Sequence, residues 1–197
     1  MHTVNVRRSL AAIAVFLGLA LVMTACVAND NNGTAKHRTN VVDLSLLKNV
    51  DDQYQYNALE WGTDIEHVTK QLPYEIASEK TMATENGTEI AIYKSKLGIA
   101  LDEKEAAATF EFQNGKLQIV KFDFELSNSD EAWFTAQVDK LKELYGEPND
   151  TLDKQNGKMS SKGYKWVASE TMLQIILVSG SSPKSAAMIG VGSTAVG

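Results

Sequence analysis

The chain has 197 residues with 19 basic and 25 acidic side chains, three histidines and one cysteine, Cys26. Its net charge of −6 argues against a nucleic-acid partner and against docking on an anionic lipid surface. A lone cysteine leaves no internal disulfide and no cluster of thiolates for a metal.

Residues 1–25 read as a signal peptide. Arg7 and Arg8 give a positive start, and Leu10 to Met23 is a run of 14 apolar or small residues. That length suits a signal-peptide core and falls short of the ~20 residues that span a bilayer. Ordinary cleavage after Ala25 would place Met23 at −3, where a small residue is preferred. Met23-Thr24-Ala25-Cys26 instead resembles the bacterial lipobox, with Met in the Leu-like position. The resemblance implies a diacylglycerol on the Cys26 thiol, cleavage before it, and a lipid-anchored extracytoplasmic chain on a bacterial membrane, most simply the cell membrane. Two or more acyl chains would make that anchor stable, whereas one holds only marginally.

Residues 26–40 form a polar tether that would span roughly 20 Å as a coil. Its Asp30-Asn31-Asn32-Gly33 lacks the alternating spacing and distal Glu of a calcium loop, and His37 stands alone. Residues 41–58 carry one short apolar stretch, and no element is assigned to them. Residues 59–197 are expected to form the folded domain, with 59–126 and 127–197 as possible tandem units.

Thr63 and Glu66 suggest a capping box for a helix that places Ile65, Val68 and Leu72 on one face, with Pro73 stopping it. Alternation predicts strands over about 88–101, 106–113 and 116–126, the last two joined by an Asn114-Gly115 type I′ turn. That turn sets Phe112 opposite Leu117 and Phe110 opposite Ile119, so odd residues of the third strand should point inward. Yet Lys121, Asp123 and Glu125 are odd, while Val120, Phe122, Phe124 and Leu126 are even. One extra residue near Ile119-Val120 reconciles the halves, which predicts a β-bulge. Asn128 with Glu131 suggests a second capped helix carrying Phe134, Val138, Leu141 and Tyr145, ended by Gly146 and Pro148. A polar loop over 149–162 and strands near 163–169, 171–179 and 185–192 follow. The expected fold class is α+β: two α-β-β-β units, an antiparallel sheet with helices packed on one face.

Leu59-Glu60-Trp61-Gly62-Thr63, the run Phe110 to Leu117, Tyr145-Gly146-Glu147-Pro148 and the strand around Trp166 resemble small exported lipoprotein domains of the BamE-like and β-lactamase-inhibitor-protein-like kind. The resemblance covers about 59–192. It implies helices on a curved antiparallel sheet and action by protein binding, not catalysis. The chain departs from the inhibitor proteins in lacking their paired cysteines.

Little in the chain points to chemistry. His67 flanks the apolar stripe of the first helix, and with Glu66 it supplies too few ligands for zinc. Asp51-Asp52, Glu103/Glu105 and Asp150/Asp153 lie in turns or at strand ends, where solvated charge is the ordinary state. No glycine-rich phosphate loop precedes a helix. Neither an enzyme nor a cofactor is expected. Trp133 sits off the Phe134/Val138/Leu141/Tyr145 stripe, either covering the edge of the core or offering a contact. Met172, Gln174, Ile176 and Val178 form one largely apolar side of a strand whose other side is Leu173, Ile175 and Leu177. Such a strand is either covered twice or marks an interface. Trp133, Met172, Ile176 and Val178 are therefore the candidate interaction surface, and an envelope protein is the expected partner. Capture of a small molecule or peptide between helices and sheet is the alternative.

Metabolic labelling with a fatty-acid probe tests the anchor: the wild-type chain should take up label and Cys26→Ala should take up none. Label persisting in Cys26→Ala would refute it.

Overall fold

Period-two alternation dominates the second half of the chain, and it is realised as long strands. The computed structural model describes residues 40–41, 44–127, 130–181 and 183–194. The signal peptide, Cys26, Asn128 and the tether up to residue 39 lie outside the described residues. In order come β1 (Asn40–Val41), a 3-10 turn (Leu44–Leu46), β2 (Asn49–Val50), β3 (Gln53–Tyr54), α1 (Ile65–Gln71), β4 (Ile76–Ala83), β5 (Glu89–Ser95), β6 (Ile99–Leu101) and β7 (Lys104–Gln113). Then follow β8 (Lys116–Ser127), α2 (Glu131–Tyr145), β9 (Asp150–Asn156), β10 (Met159–Ala168), β11 (Thr171–Ser179) and β12 (Lys184–Ser193). Among the described residues no helix is long and apolar enough to cross a membrane.

One ten-stranded sheet organises these elements. Its order is β4-β5-β7-β8-β12-β11-β10-β9, all antiparallel, with β6 beside the start of β7 and β1 parallel to β6. β2 and β3 form a separate hairpin. Each helix is followed by strands that run inward to the shared β8–β12 pair at the centre.

The α+β expectation is corrected by this arrangement. Of the described residues, strand makes up 54% and helix 17%, so the fold is mainly β. Helices of 7 and 15 residues are too little to form a layer on such a sheet. The units are also larger than α-β-β-β, because β4 and β9 are strands that the sequence did not reveal. Both are outer strands, solvated on both sides over most of their length, so neither has a buried face to impose alternation. Charged residues such as Glu79, Lys80, Asp153 and Lys154 blunt these edges against pairing with another chain. The expected strand over 88–101 is divided into β5 and β6 at Lys96-Leu97-Gly98.

Local signals held where backbone geometry decides. Asn114 and Gly115 have φ of 49° and 74°, the left-handed pair that a type I′ turn needs. The bulge lies one residue earlier than expected: Phe112 pairs with Leu117 and Glu111 with Ile119, so Gln118 is the extra residue. The helix α1 is capped by Asp64 instead of Thr63, its carboxylate accepting from the His67 N–H at 3.0 Å. Gly146 ends α2 at φ 80°, its N–H donating to Lys142 O at 2.8 Å.

The core occupies one face of the sheet, here called the first face. Ala108, Phe110 and Phe112 of β7, Val120, Phe122, Phe124 and Leu126 of β8, Leu173, Ile175 and Leu177 of β11 and Ile189 and Val191 of β12 form one buried cluster. Val68 of α1 and Phe134, Val138 and Leu141 of α2 join it. The segment 41–58 belongs to this core too, through Leu44, Leu47, Tyr54 and Tyr56. Tyr54 meets Tyr145 edge to face at 5.4 Å, and the Tyr145 hydroxyl donates to Leu44 O and Leu47 O. Trp166 is enclosed there with its indole N–H on Gly146 O at 2.8 Å.

Phe110→Ala should cost about 3–5 kcal/mol in urea unfolding, the usual penalty for emptying a core phenylalanine site. Met159→Ala on the exposed start of β10 should change stability by less than ~0.5 kcal/mol. Similar losses at both positions would contradict the assignment of the core.

Candidate functional site

Side chains alternate along each strand, so the first face has a counterpart, and the register aligns that second face in rows. One row crosses Lys165, Gln174, Gly190, Lys121, Thr109 and Lys94 from β10 to β5. The next crosses Val167, Met172, Gly192, Ile119, Glu111 and Ile92. On the other side run Ile176, Met188, Asp123 and Ala107. Every described element outside the sheet with buried apolar side chains sends them to the first-face cluster. Ile119, Met172, Ile176 and Met188 are buried without belonging to that cluster.

The middle of the second face is polar. Glu111 is 2% exposed, Gln174 6% and Lys121 8%. Their partners are few and long. The Gln113 amide donates to Glu111 Oε1 at 3.3 Å, and the Thr109 hydroxyl donates to Asp123 Oδ2 at 3.4 Å. Lys121 Nζ stands 3.7 Å from Asp123 Oδ2. Glu111 Oε2, Asp123 Oδ1 and Gln174 Nε2 are buried with no hydrogen-bond partner. Burial pushes the Glu111 carboxyl upward, against the weaker pull of Gln113 and Lys121. Burial likewise raises Asp123, by more than Lys121, Thr109 and Lys94 lower it. Gly190 adds no bulk between Gln174 and Lys121; a Cβ there would make ordinary contacts with Lys121 Cβ at 3.6 Å, Val120 O at 3.8 Å and Met188 Cε at 3.9 Å.

Around this floor lies a partly exposed apolar rim. Ile90 and Ile92 of β5 and Val178 of β11 are half-buried, and Val167 of β10 is 42% exposed. Outer charges are paired: Lys165 with Asp150 at 3.2 Å and Lys94 with Glu79 at 3.7 Å. The arrangement offers hydrogen-bond donors and acceptors above an ionic floor.

The four candidate contact residues do not share a surface. Met172 and Ile176 are buried and Val178 half-buried, all on the second face. Trp133 lies on α2, at 4.9 Å from the Phe124 ring of the first face, with its Nε1 buried and unpartnered. Cys26 and His37 lie outside the described residues. His67 Nδ1 is 2.7 Å from Asp64 Oδ1 on an exposed stretch of α1. Asp51 and Asp52 form the exposed β2–β3 turn. Among the described residues no group of three or more His, Cys, Asp and Glu side chains could hold a metal ion.

Sequence reasoning assigned Thr109, Glu111, Lys121 and Asp123 to the outward side of the β7–β8 hairpin but did not place Gln174 beside them. Charged residues alternating within otherwise apolar strands were the available signal. What no local pattern encodes is that β7, β8, β12 and β11 lie side by side in mid-sheet. No protein-family model, curated protein or solved structure matches the chain.

A carboxyl whose folded pKa is raised disfavours the fold once it ionises, so its cost grows as pH rises from the ordinary carboxylate range through the raised value. Glu111→Gln should therefore stabilise the protein at pH 7, with the gain vanishing below about pH 4, where both states of the wild type are protonated. Denaturant melts across that range check this. A gain independent of pH would contradict the cause assigned.

Proposed function

We propose that this chain is a lipid-anchored envelope protein, held at the membrane through Cys26, that uses the second face of its sheet to bind another envelope protein. The observation that carries this reading is the set of three orphaned polar atoms on that face, Glu111 Oε2, Asp123 Oδ1 and Gln174 Nε2. Buried polar atoms are seldom left unpaired, because each costs about 1–3 kcal/mol. A partner that moves aside the side chains closing over these atoms, and brings N–H donors to the two carboxyls and an acceptor to Gln174, would complete them. The rim of Ile90, Ile92, Val167 and Val178 would supply apolar contact around this polar centre.

Capture of a small molecule between helices and sheet has less support. That space is filled by Tyr56, Phe110, Phe112, Phe134, Leu141 and Trp166, all nearly inaccessible.

Crosslinking in intact membranes followed by mass spectrometry tests the proposal. The wild-type chain should give a reproducible protein adduct, and the rim variants Ile92→Asp and Val178→Asp should each lose it at least about tenfold, the effect of one buried contact, with unchanged unfolding midpoints. No adduct from the wild type, or equal yields from the rim variants, would overturn it.

A further inference from the structure

A concavity lies at the end of the sheet, beside the bulge of β8 and the turn between β10 and β11. It has a volume of about 480 Å³ and is lined by Gln53, Gln55, Trp61, Gln118, Glu170 and Ser193, with Glu60, Gly62 and Thr171 completing it. That volume falls within the roughly 300–1,000 Å³ of small-ligand sites.

The frame of this cleft is fixed by hydrogen bonds that join separate parts of the chain. Tyr54 N–H donates to the Thr171 hydroxyl at 2.8 Å, which in turn donates to Ala168 O at 2.8 Å. Gly62 N–H donates to Leu117 O at 2.9 Å and Leu117 N–H to Thr63 O at 2.8 Å, fastening the Trp61 loop beside β8. Thr194 N–H donates to Glu170 O. Gly62 has φ 80° and open space where a Cβ would stand, so the loop turns without placing a side chain over the cleft. The Trp61 N–H is engaged by Tyr54 O at 2.8 Å, so what Trp61 offers a ligand is its ring and not a donor. The bulge aims Gln118 here, since the extra residue leaves the regular alternation of β8.

We propose that this cleft binds an uncharged sugar chain bearing N-acetyl groups. Three features of the lining select that chemistry. Three glutamine amides, two carboxylates and Ser193 meet the cleft beside one indole, a set suited to a ligand dense in hydroxyls and amides that also has an apolar ring face. No basic residue lines the cleft while Glu60 and Glu170 do, which disfavours phosphates and other anions. Backbone groups at Tyr54, Gly62, Leu117 and Thr194 are already bonded, so a peptide could not add itself as a strand there.

The test titrates the whole chain in detergent with tetra-N-acetylchitotetraose and follows side-chain amide and indole N–H resonances. Saturable shifts should appear at Gln53, Gln55, Gln118 and Trp61 in the wild type. Gln55→Ala and Gln118→Ala should each weaken binding about tenfold, the loss of one ligand hydrogen bond, with unfolding midpoints unchanged. Val178→Asp should bind the sugar as the wild type does, which separates this site from the docking face. Absence of saturable shifts, full binding by both glutamine variants, or equal affinity for a neutral Ser-Gly-Ala-Ser peptide would each overturn the proposal.

Discussion

A single extra residue, Gln118, keeps the two faces of the sheet chemically distinct. Before it, Leu117 faces the same side as Phe112; after it, Val120, Phe122, Phe124 and Leu126 face that side as well. Because side chains alternate strictly, a one-residue slip would turn the later half of β8 over. Lys121 and Asp123 would then stand among Tyr56, Trp133 and Ile189, where unpaired charge is costly. Phe122 and Phe124 would lie on the other side beside Gly190 and Met188. The bulge therefore decides both what the core contains and what it excludes.

Both proposed sites descend from that division. The first face is closed by aromatic packing. The second face gathers Glu111, Lys121, Asp123 and Gln174 at mid-sheet, where strand neighbours bury them without satisfying all their polar atoms. The bulge residue itself belongs to neither face and turns into the cleft beside Trp61. Stability and binding thus depend on the same residue: a β8 without the bulge would lose its core register, the polar row and the amide in the cleft together.

The sequence was most legible where residues alternate or where backbone geometry demands a particular residue. The strands around Phe110, Phe122, Trp166 and Ile175, the Asn114-Gly115 turn and the bulge could all be read from spacing. The outer strands could not, since Ser78 or Lys154 has solvent on both sides and carries no periodic mark. Nor could the role of 41–58, whose Leu47 enters the core just after a 3-10 turn and whose Tyr54 enters it from a two-residue strand, both too short to show a period. The alternation of Lys121 and Asp123 with phenylalanines was visible, but their burial depends on β12 and β11 lying alongside, a long-range fact. Trp133, whose helical position fits either the edge of the core or an outward contact, packs on Phe124 of the first face.

Deleting Gln118 addresses the bulge most directly, with Gln118→Ala as the control that keeps the residue count. Near-ultraviolet circular dichroism during urea unfolding should show native aromatic signals and a cooperative transition for Gln118→Ala, and neither for the deletion. A deletion variant with native signals and stability within about 0.5 kcal/mol of the control would contradict the account, because β8 would then tolerate either register.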